Sequence, residues 1–275
     1  MSGLLDALQL EFVRHALLAA TAAAVLCGVL GVFVVGKRIA FLADGIAHAA
    51  FGGLGLCAFL GLDPRLGAIG VAVACALALG ALGNERLRSL DALIGVLYAI
   101  GMAAGIIFLA KTPGYAPNLS AYLFGNVLLV SRTDLALALG TTVLALLLLA
   151  LFGKELVATA FDETFAFVQG VPVGALFTLL LLLIALAVVV LIQVMGIVLV
   201  VALLTIPPLA ARALTRALGP MLVLSVLGGV ASAWGGLALS YVGDLPSGPA
   251  IVLVAAVLFA LATLAGALGR RRRRA

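Results

Sequence analysis

The chain has 275 residues, 65% of them hydrophobic and only 10% charged, with a mean hydropathy of +1.36. A soluble domain is about half apolar and about a quarter charged, so this composition excludes a water-facing globular surface and specifies an integral membrane protein. The formal net charge of +5 includes a terminal "GRRRRRA". Directly after an apolar run, such a tail anchors the chain at anionic lipid headgroups and is no evidence for nucleic-acid binding.

Apolar stretches near twenty residues recur along the chain, the length a helix needs to cross a hydrocarbon layer roughly 30 Å thick. The short alternating segments of a transmembrane β-barrel are absent. An all-α polytopic bundle is predicted, with nine spans at 12–35, 39–60, 64–83, 91–110, 134–152, 174–193, 196–214, 219–241 and 249–268. The whole of 1–275 reads as one membrane domain, embedded over 12–268 and ending in a basic tail, 269–275. The first run begins near Phe12 and passes Val35, too long for a leader peptide's apolar region and without a small-residue cleavage site.

The second span opens with "FLADGIAHAA" (41–50), which sets Asp44 and His48 on one helix face at i and i+4. "AFGGLG" follows, and in the fourth span "GMAAG" (101–105) has the spacing that lets helices approach closely in lipid. The stretch 117–130 is apolar but short and follows Pro113, Gly114 and Pro117, so a re-entrant or interfacial helix is expected there. Between the fifth and sixth spans, "ATAFDETFAFVQGVPV" (158–173) predicts one short amphipathic helix with Asp162 and Glu163 in its first turn, ended by Gly170 and Pro172. Such a helix either lies at the membrane interface or docks into a soluble partner. In the seventh span, "GIVLVVALLTIPPLAARALTR" (196–216) carries Pro207 and Pro208, which remove ladder hydrogen bonds and mark a packing kink or a hinge.

Orientation follows from the basic residues. With the N-terminus outside, the inner side holds Lys37, Arg38, Arg86, Arg88, Lys154, Arg212, Arg216 and Arg270 to Arg274, twelve in all, against Arg14, Arg65, Lys111 and Arg132 outside. The C-terminus is therefore expected in the cytoplasm, and 153–177 on the cytoplasmic side. Cys27, Cys57 and Cys75 lie in apolar stretches without CxxC spacing and read as small packed hydrophobes.

A carboxylate at the centre of a membrane helix costs about 2.5–3.5 kcal/mol on translocon scales, so it faces protein or a water-filled cavity and marks function. Asp44 and His48 are either two ligands for a borderline divalent ion or an Asp–His hydrogen bond satisfying both groups. His15, the other histidine, sits beside Arg14 at the outer edge of the first span. Further ligands would have to come from Asp244 in "YVGDLPSGP", Met195, Gln193 or Tyr241. No HExxH or GxSxG is present, Asp44 is the one carboxylate well inside a span, and no GxxxxGK[ST] phosphate loop appears. An enzyme is not expected, and any ATP must be bound by a partner.

Taken in order, "VVGKRIAFLADGIAHAAFGGLGL" (34–56), "YLFGNVLLVS" (122–131), "FDETFAFVQGVPV" (161–173), "ALLTIPPLAARAL" (202–214) and "SYVGDLPSGPAIVL" (240–253) resemble the membrane subunit of ABC importers for zinc, manganese or iron. The resemblance covers roughly 12–265. It implies a type II ABC importer fold in the bacterial cytoplasmic membrane, a homodimer with a central pathway, two cytoplasmic ATPase subunits and an external metal-binding protein that delivers cargo. It further implies that Asp44 and His48 serve metal passage; Asp244 and Met195 stay further candidates on their side-chain chemistry alone. The coupling segment, 155–172, would contact the ATPase through Asp162, Glu163, Phe165, Gln169 and Gly170. No permanently bound cofactor is implied, only a transported divalent ion. The pair Pro207–Pro208 departs from the single proline often found in relatives. The rival reading is a stand-alone secondary carrier or channel, which would show inverted repeats; no second "DGIAHAA" is present.

Overall fold

The computed structural model describes residues 11–82, 91–113, 125 and 127–272. Among these residues the chain is helical, in eleven α-helices and one 3-10 turn, with no strand. The helices are α1 (Glu11–Lys37), α2 (Ala40–Phe59), α3 (Pro64–Leu82), α4 (Asp91–Lys111), α5 (Arg132–Leu151), α6 (Gly153–Phe161), α7 (Glu163–Val168), α8 (Val173–Met195), α9 (Ile197–Leu214), α10 (Leu218–Gly243) and α11 (Ser247–Arg272). Nine of them are long and apolar enough to cross a membrane, and their bounds match the predicted spans to within four residues. Helices are imposed by the solvent: in hydrocarbon every backbone N–H and C=O must find its partner within the segment. Leu66, Ile100, Leu147, Leu253 and Leu261 are all exposed, the outward apolar surface that lipid requires.

Two compact units are distinguished within the chain, one of Met1–Val35, Ser120–Val143 and Val190–Ala275, the other of Gly36–Leu119 and Leu144–Val189. In the first unit, α1 packs on α9 and α10 through small residues. A Cβ on Gly28 would lie 3.0 Å from the Val226 backbone, and one on Gly31 would collide with the Leu204 carbonyl and the Pro208 ring. The buried Ser225 hydroxyl donates to the Gly28 carbonyl at 2.7 Å, and the Trp234 indole N–H donates to Thr21 Oγ1 at 2.9 Å. The Arg132 guanidinium pairs with Glu11 at the membrane edge, and His15 lies 3.9 Å from the same carboxylate.

The predicted break near 193–196 falls at Gly196, whose φ of 79° and ψ of 159° belong to a region open essentially to glycine alone. Gly125, itself at φ 64°, seats against the Met195 and Gly196 backbone. Of the re-entrant segment expected over 117–130, residues 117–124 and 126 lie outside the described residues, and Val127–Leu129 form the 3-10 turn. Arg86 and Arg88 of the orientation argument also lie outside them. Helix α9 runs through Pro207 and Pro208 without interruption. Pro208 cannot donate to the Leu204 carbonyl, and that carbonyl abuts Gly31 of α1, so a neighbouring helix covers the freed backbone.

In the second unit α2 lies between α3 and α4, and glycine makes this possible. Gly53 and Gly67 face each other so closely that a Cβ on either would strike the other's carbonyl. On the opposite side, a Cβ on Gly52 would lie 2.9 Å from the Gly101 carbonyl, and one on Gly55 would lie 2.6 Å from the Gly105 carbonyl. "AFGGLG" and "GMAAG" are therefore two halves of one contact, the close approach that small residues allow where lipid provides no hydrophobic drive between helices.

The segment after α5 differs from the expectation of one helix. It forms two, α6 and α7, separated at Asp162 (φ −146°, ψ 95°). Asp162 is not in a first turn. It is the N-cap of α7, its carboxylate accepting the Phe165 amide at 2.9 Å, and this local bond competes with helix continuation. The predicted stop holds: Gly170 at φ 79° closes α7 with Val171 N–H on the Ala166 carbonyl and Gly170 N–H on the Phe167 carbonyl, the paired bonds of a Schellman end.

Candidate functional site

Asp44 is the fifth residue of α2 and His48 the ninth, one turn further into the helix. The pair follows a connection of only two residues, Arg38 and Ile39, Arg38 being in the left-handed region at φ 61°. His48 is buried at 7% exposure, while the Asp44 side chain retains 25%. The imidazole Nδ1 lies 3.0 Å from the Asp44 backbone carbonyl and 3.4 Å from its carboxylate Oδ1. A carbonyl can only accept, so the shorter contact places a proton on Nδ1, and in the neutral ring Nε2 is then the nitrogen with a lone pair. The ring is thus oriented through Nδ1 by a backbone oxygen, the arrangement common in histidines that bind metal through Nε2. The carboxylate lies farther from Nδ1 than the backbone carbonyl does and keeps part of its surface exposed.

Tyr98 of α4 completes the surroundings. Its ring stacks on His48 with centroids 4.0 Å apart and planes inclined by 34°. That stack is possible because the glycine contact brings α4 against α2. A Cβ on Gly101 would lie 2.7 Å from the His48 carbonyl, and one on Gly45 would meet the Ile94 side chain at 2.5 Å. Tyr98 escaped the sequence reading because it lies fifty residues from His48. Its one signal was position, a tyrosine well inside a span and not at its interfacial end, where tyrosine is usual.

Among the described residues no three His, Cys, Asp or Glu side chains gather in a group that could hold a metal ion. Among the described residues of one copy, Asp44 and His48 therefore stand without a third such ligand. Met195 is fully buried at the end of α8, and Asp244 is exposed at the left-handed C-terminal end of α10 with φ 50°. Both belong to the first unit, whereas Asp44 and His48 belong to the second.

The α6–α7 segment divides its residues between two directions. Phe165, Phe167 and Val168 are exposed at 56%, 73% and 78%, and Gln169 and Gly170 are exposed beside them. Ala166 is buried. Glu163 turns inward and accepts from Lys37 Nζ at 2.6 Å. The sequence had offered Lys37 only as a topology charge, since a lysine ending a span normally extends to water.

A family model described as "ABC 3 transport family" matches residues 9–266. The chain is 40% identical over 256 residues to the "Manganese transport system membrane protein MntC" of Halalkalibacterium halodurans, covering 93% of this chain and 87% of that one. It is 33% identical over 260 residues to a Haemophilus influenzae protein named "Probable iron transport system membrane protein", covering 94% and 95%. Among solved structures, "PsaBC from Streptococcus pneumoniae in complex with Fab" superposes with a TM-score of 0.84 at 31% identity, over 95% of this chain and 94% of that chain.

Proposed function

The chain belongs to the ABC 3 transport family, and from this premise we infer that it passes a divalent transition metal ion inward along Asp44 and His48. It is the membrane permease subunit of an ATP-binding-cassette importer, not an enzyme, and ATP is hydrolysed on a separate chain. Family membership decides against the ATPase-free carrier. Relatives named for manganese and for iron support a cargo of that class, and a carboxylate with an imidazole suits Mn²⁺, Fe²⁺ and Zn²⁺ alike.

The observation that supports the site is the oriented imidazole, with Nδ1 bound to the Asp44 carbonyl at 3.0 Å beside the Asp44 carboxylate at 3.4 Å. Two ligands are too few for a stable site, and we read the shortfall as completed by a second copy of the chain. Two copies meeting at α2 supply two carboxylates and two imidazoles. Asp244 and Met195 are then not needed as ligands. An ion held by two groups per subunit is released easily when the subunits move, as a transporter requires.

The exposed Phe165, Phe167, Val168 and Gln169 suit an ATPase groove that receives a short apolar helix end. Asp162 and Gly170 define the two ends of that helix, and Pro207 and Pro208 stiffen a covered helix beside α1. An external binding protein delivers the ion, and the chain lies with its N-terminus outside and its C-terminus in the cytoplasm, as the basic residues favour.

Uptake of labelled Mn²⁺, Fe²⁺ and Zn²⁺ by cells lacking their own permease tests the site. Asp44→Asn and His48→Gln should each abolish uptake at least tenfold while the assembled importer remains in the membrane. Wild-type uptake by both variants sinks the pathway reading. A reporter fused after Arg274 should act as cytoplasmic, and an external signal overturns the orientation.

A further inference from the structure

We propose that Lys37 and Glu163 are positioning residues that relay ATP-driven movement of the α6–α7 segment to the helix carrying Asp44 and His48. This rests on the reading that the ATPase docks on α7. Lys37 is 4% exposed and makes three contacts, all within the second unit. Its Nζ donates to Glu163 Oε1 at 2.6 Å and to the Thr159 carbonyl at 3.0 Å, and it lies 5.5 Å from the centre of the Phe177 ring. A buried ammonium is tolerated only when paired and hydrogen-bonded, and each of these partners answers part of that demand.

The partners are placed on both sides of the Asp162 break. Thr159 lies in the last turn of α6, where carbonyls lack intrahelical donors and a cation is favoured. The Asp162 amide takes the Ala158 carbonyl, so Lys37 attends to the next one along. Glu163 is the first residue of α7. One ammonium therefore pins the end of α6 to the start of α7, while the other side of α7 exposes Phe165, Phe167 and Val168.

Lys37 is also the last residue of α1, and only Arg38 and Ile39 separate it from α2. Ile39 is buried, and Arg38 already occupies the left-handed region. The three steps from Lys37 to Ala40 span at most roughly 10–11 Å, so a large displacement of Lys37 reaches α2. A displacement of α7 that carries Glu163 and Lys37 with it must draw on the root of α2 at Ala40, four residues before Asp44. An ion pair with a merely structural role would add stability without setting how much transport each ATP yields.

The test is the complete importer, permease with its ATPase and binding protein, in proteoliposomes. Phosphate release and uptake are measured together, using whichever of Mn²⁺, Fe²⁺ and Zn²⁺ the wild type takes up fastest. Lys37→Met and Glu163→Gln should capture the ATPase within twofold of wild type, yet lose at least tenfold in ions moved per ATP. Lys37→Arg should recover at least half of the wild-type ratio. The double variant should be no worse than either single one, the mark of two residues acting as one link. Phe165→Ala with Phe167→Ala should instead reduce ATPase capture.

If that aromatic variant lowers capture while Glu163→Gln keeps the wild-type ratio, the relay alone is refuted. If Glu163→Gln itself loses capture, the pair shapes the docking face and the relay is again refuted. If the aromatic variant captures the ATPase normally, the docking reading fails and the relay falls with it. Glu163→Gln preserves shape and leaves a hydrogen-bond acceptor, so it reports even where Lys37→Met fails to assemble.

Discussion

Replacing Gly55 by alanine puts one methyl group into the α2–α4 contact that positions His48 against Tyr98. The new Cβ would lie 2.6 Å from the Gly105 carbonyl oxygen and 2.7 Å from its Cα, whereas ordinary contact begins at 3.4 Å. Backbone stands on both sides, so no side chain can rotate away. The two helices must part by the difference, about 0.8 Å. A gap of that size forfeits roughly a quarter to a half of the dispersion energy between facing atoms, and small-to-large substitution in a tight contact costs about 1–3 kcal/mol. Alanine returns about 0.5–1 kcal/mol through its better helix propensity, leaving a net loss of about 0.5–2 kcal/mol. Gly70→Ala is the control, because a Cβ there meets nothing within 4 Å. Unfolding of the purified permease in mixed micelles, titrated with SDS, gives both values. The reasoning is refuted if Gly55→Ala proves as stable as Gly70→Ala.

Three further outcomes are expected. Asp162→Ala removes the N-cap of α7 and should cost about 1 kcal/mol locally, seen as faster hydrogen exchange at the Phe165 amide, whose bond to Asp162 is 2.9 Å. Ser225→Ala deletes the buried bond to the Gly28 carbonyl, and should destabilise the first unit by about 0.6 kcal/mol, the usual worth of an interhelical hydrogen bond in a membrane, in the same SDS titration. Tyr98→Phe keeps the ring on His48 and should transport normally, while Tyr98→Ala should lower uptake severalfold by freeing the imidazole. Equal uptake by the two would remove Tyr98 from the site.

Much of this protein was legible because the bilayer leaves few options. Nine spans followed from length and apolarity alone, since only a helix satisfies its own backbone in hydrocarbon. Gly170, the break between the spans ending at 193 and starting at 196, and the Asp44–His48 spacing were readable for local reasons: a turn residue, a gap in the apolar runs and an i,i+4 face. The split at Asp162 was missed because an aspartate favours both the first turn and the N-cap of a helix, and only the surrounding chain decides which. The covered Pro207–Pro208 pair was ambiguous for a similar reason, as a kink depends on what lies beside the freed carbonyl.

The sequence by itself determined the class, the spans and one carboxylate–imidazole pair on a shared helix face, all set by periodicities within a single turn or a single helix. Only the tertiary structure decided that Tyr98 reaches His48, that "AFGGLG" meets "GMAAG", and that Lys37 turns inward to Glu163. Each joins residues about fifty or more positions apart. In lipid such contacts arise from the fit of small residues between helices, and that fit has no signature in either segment alone.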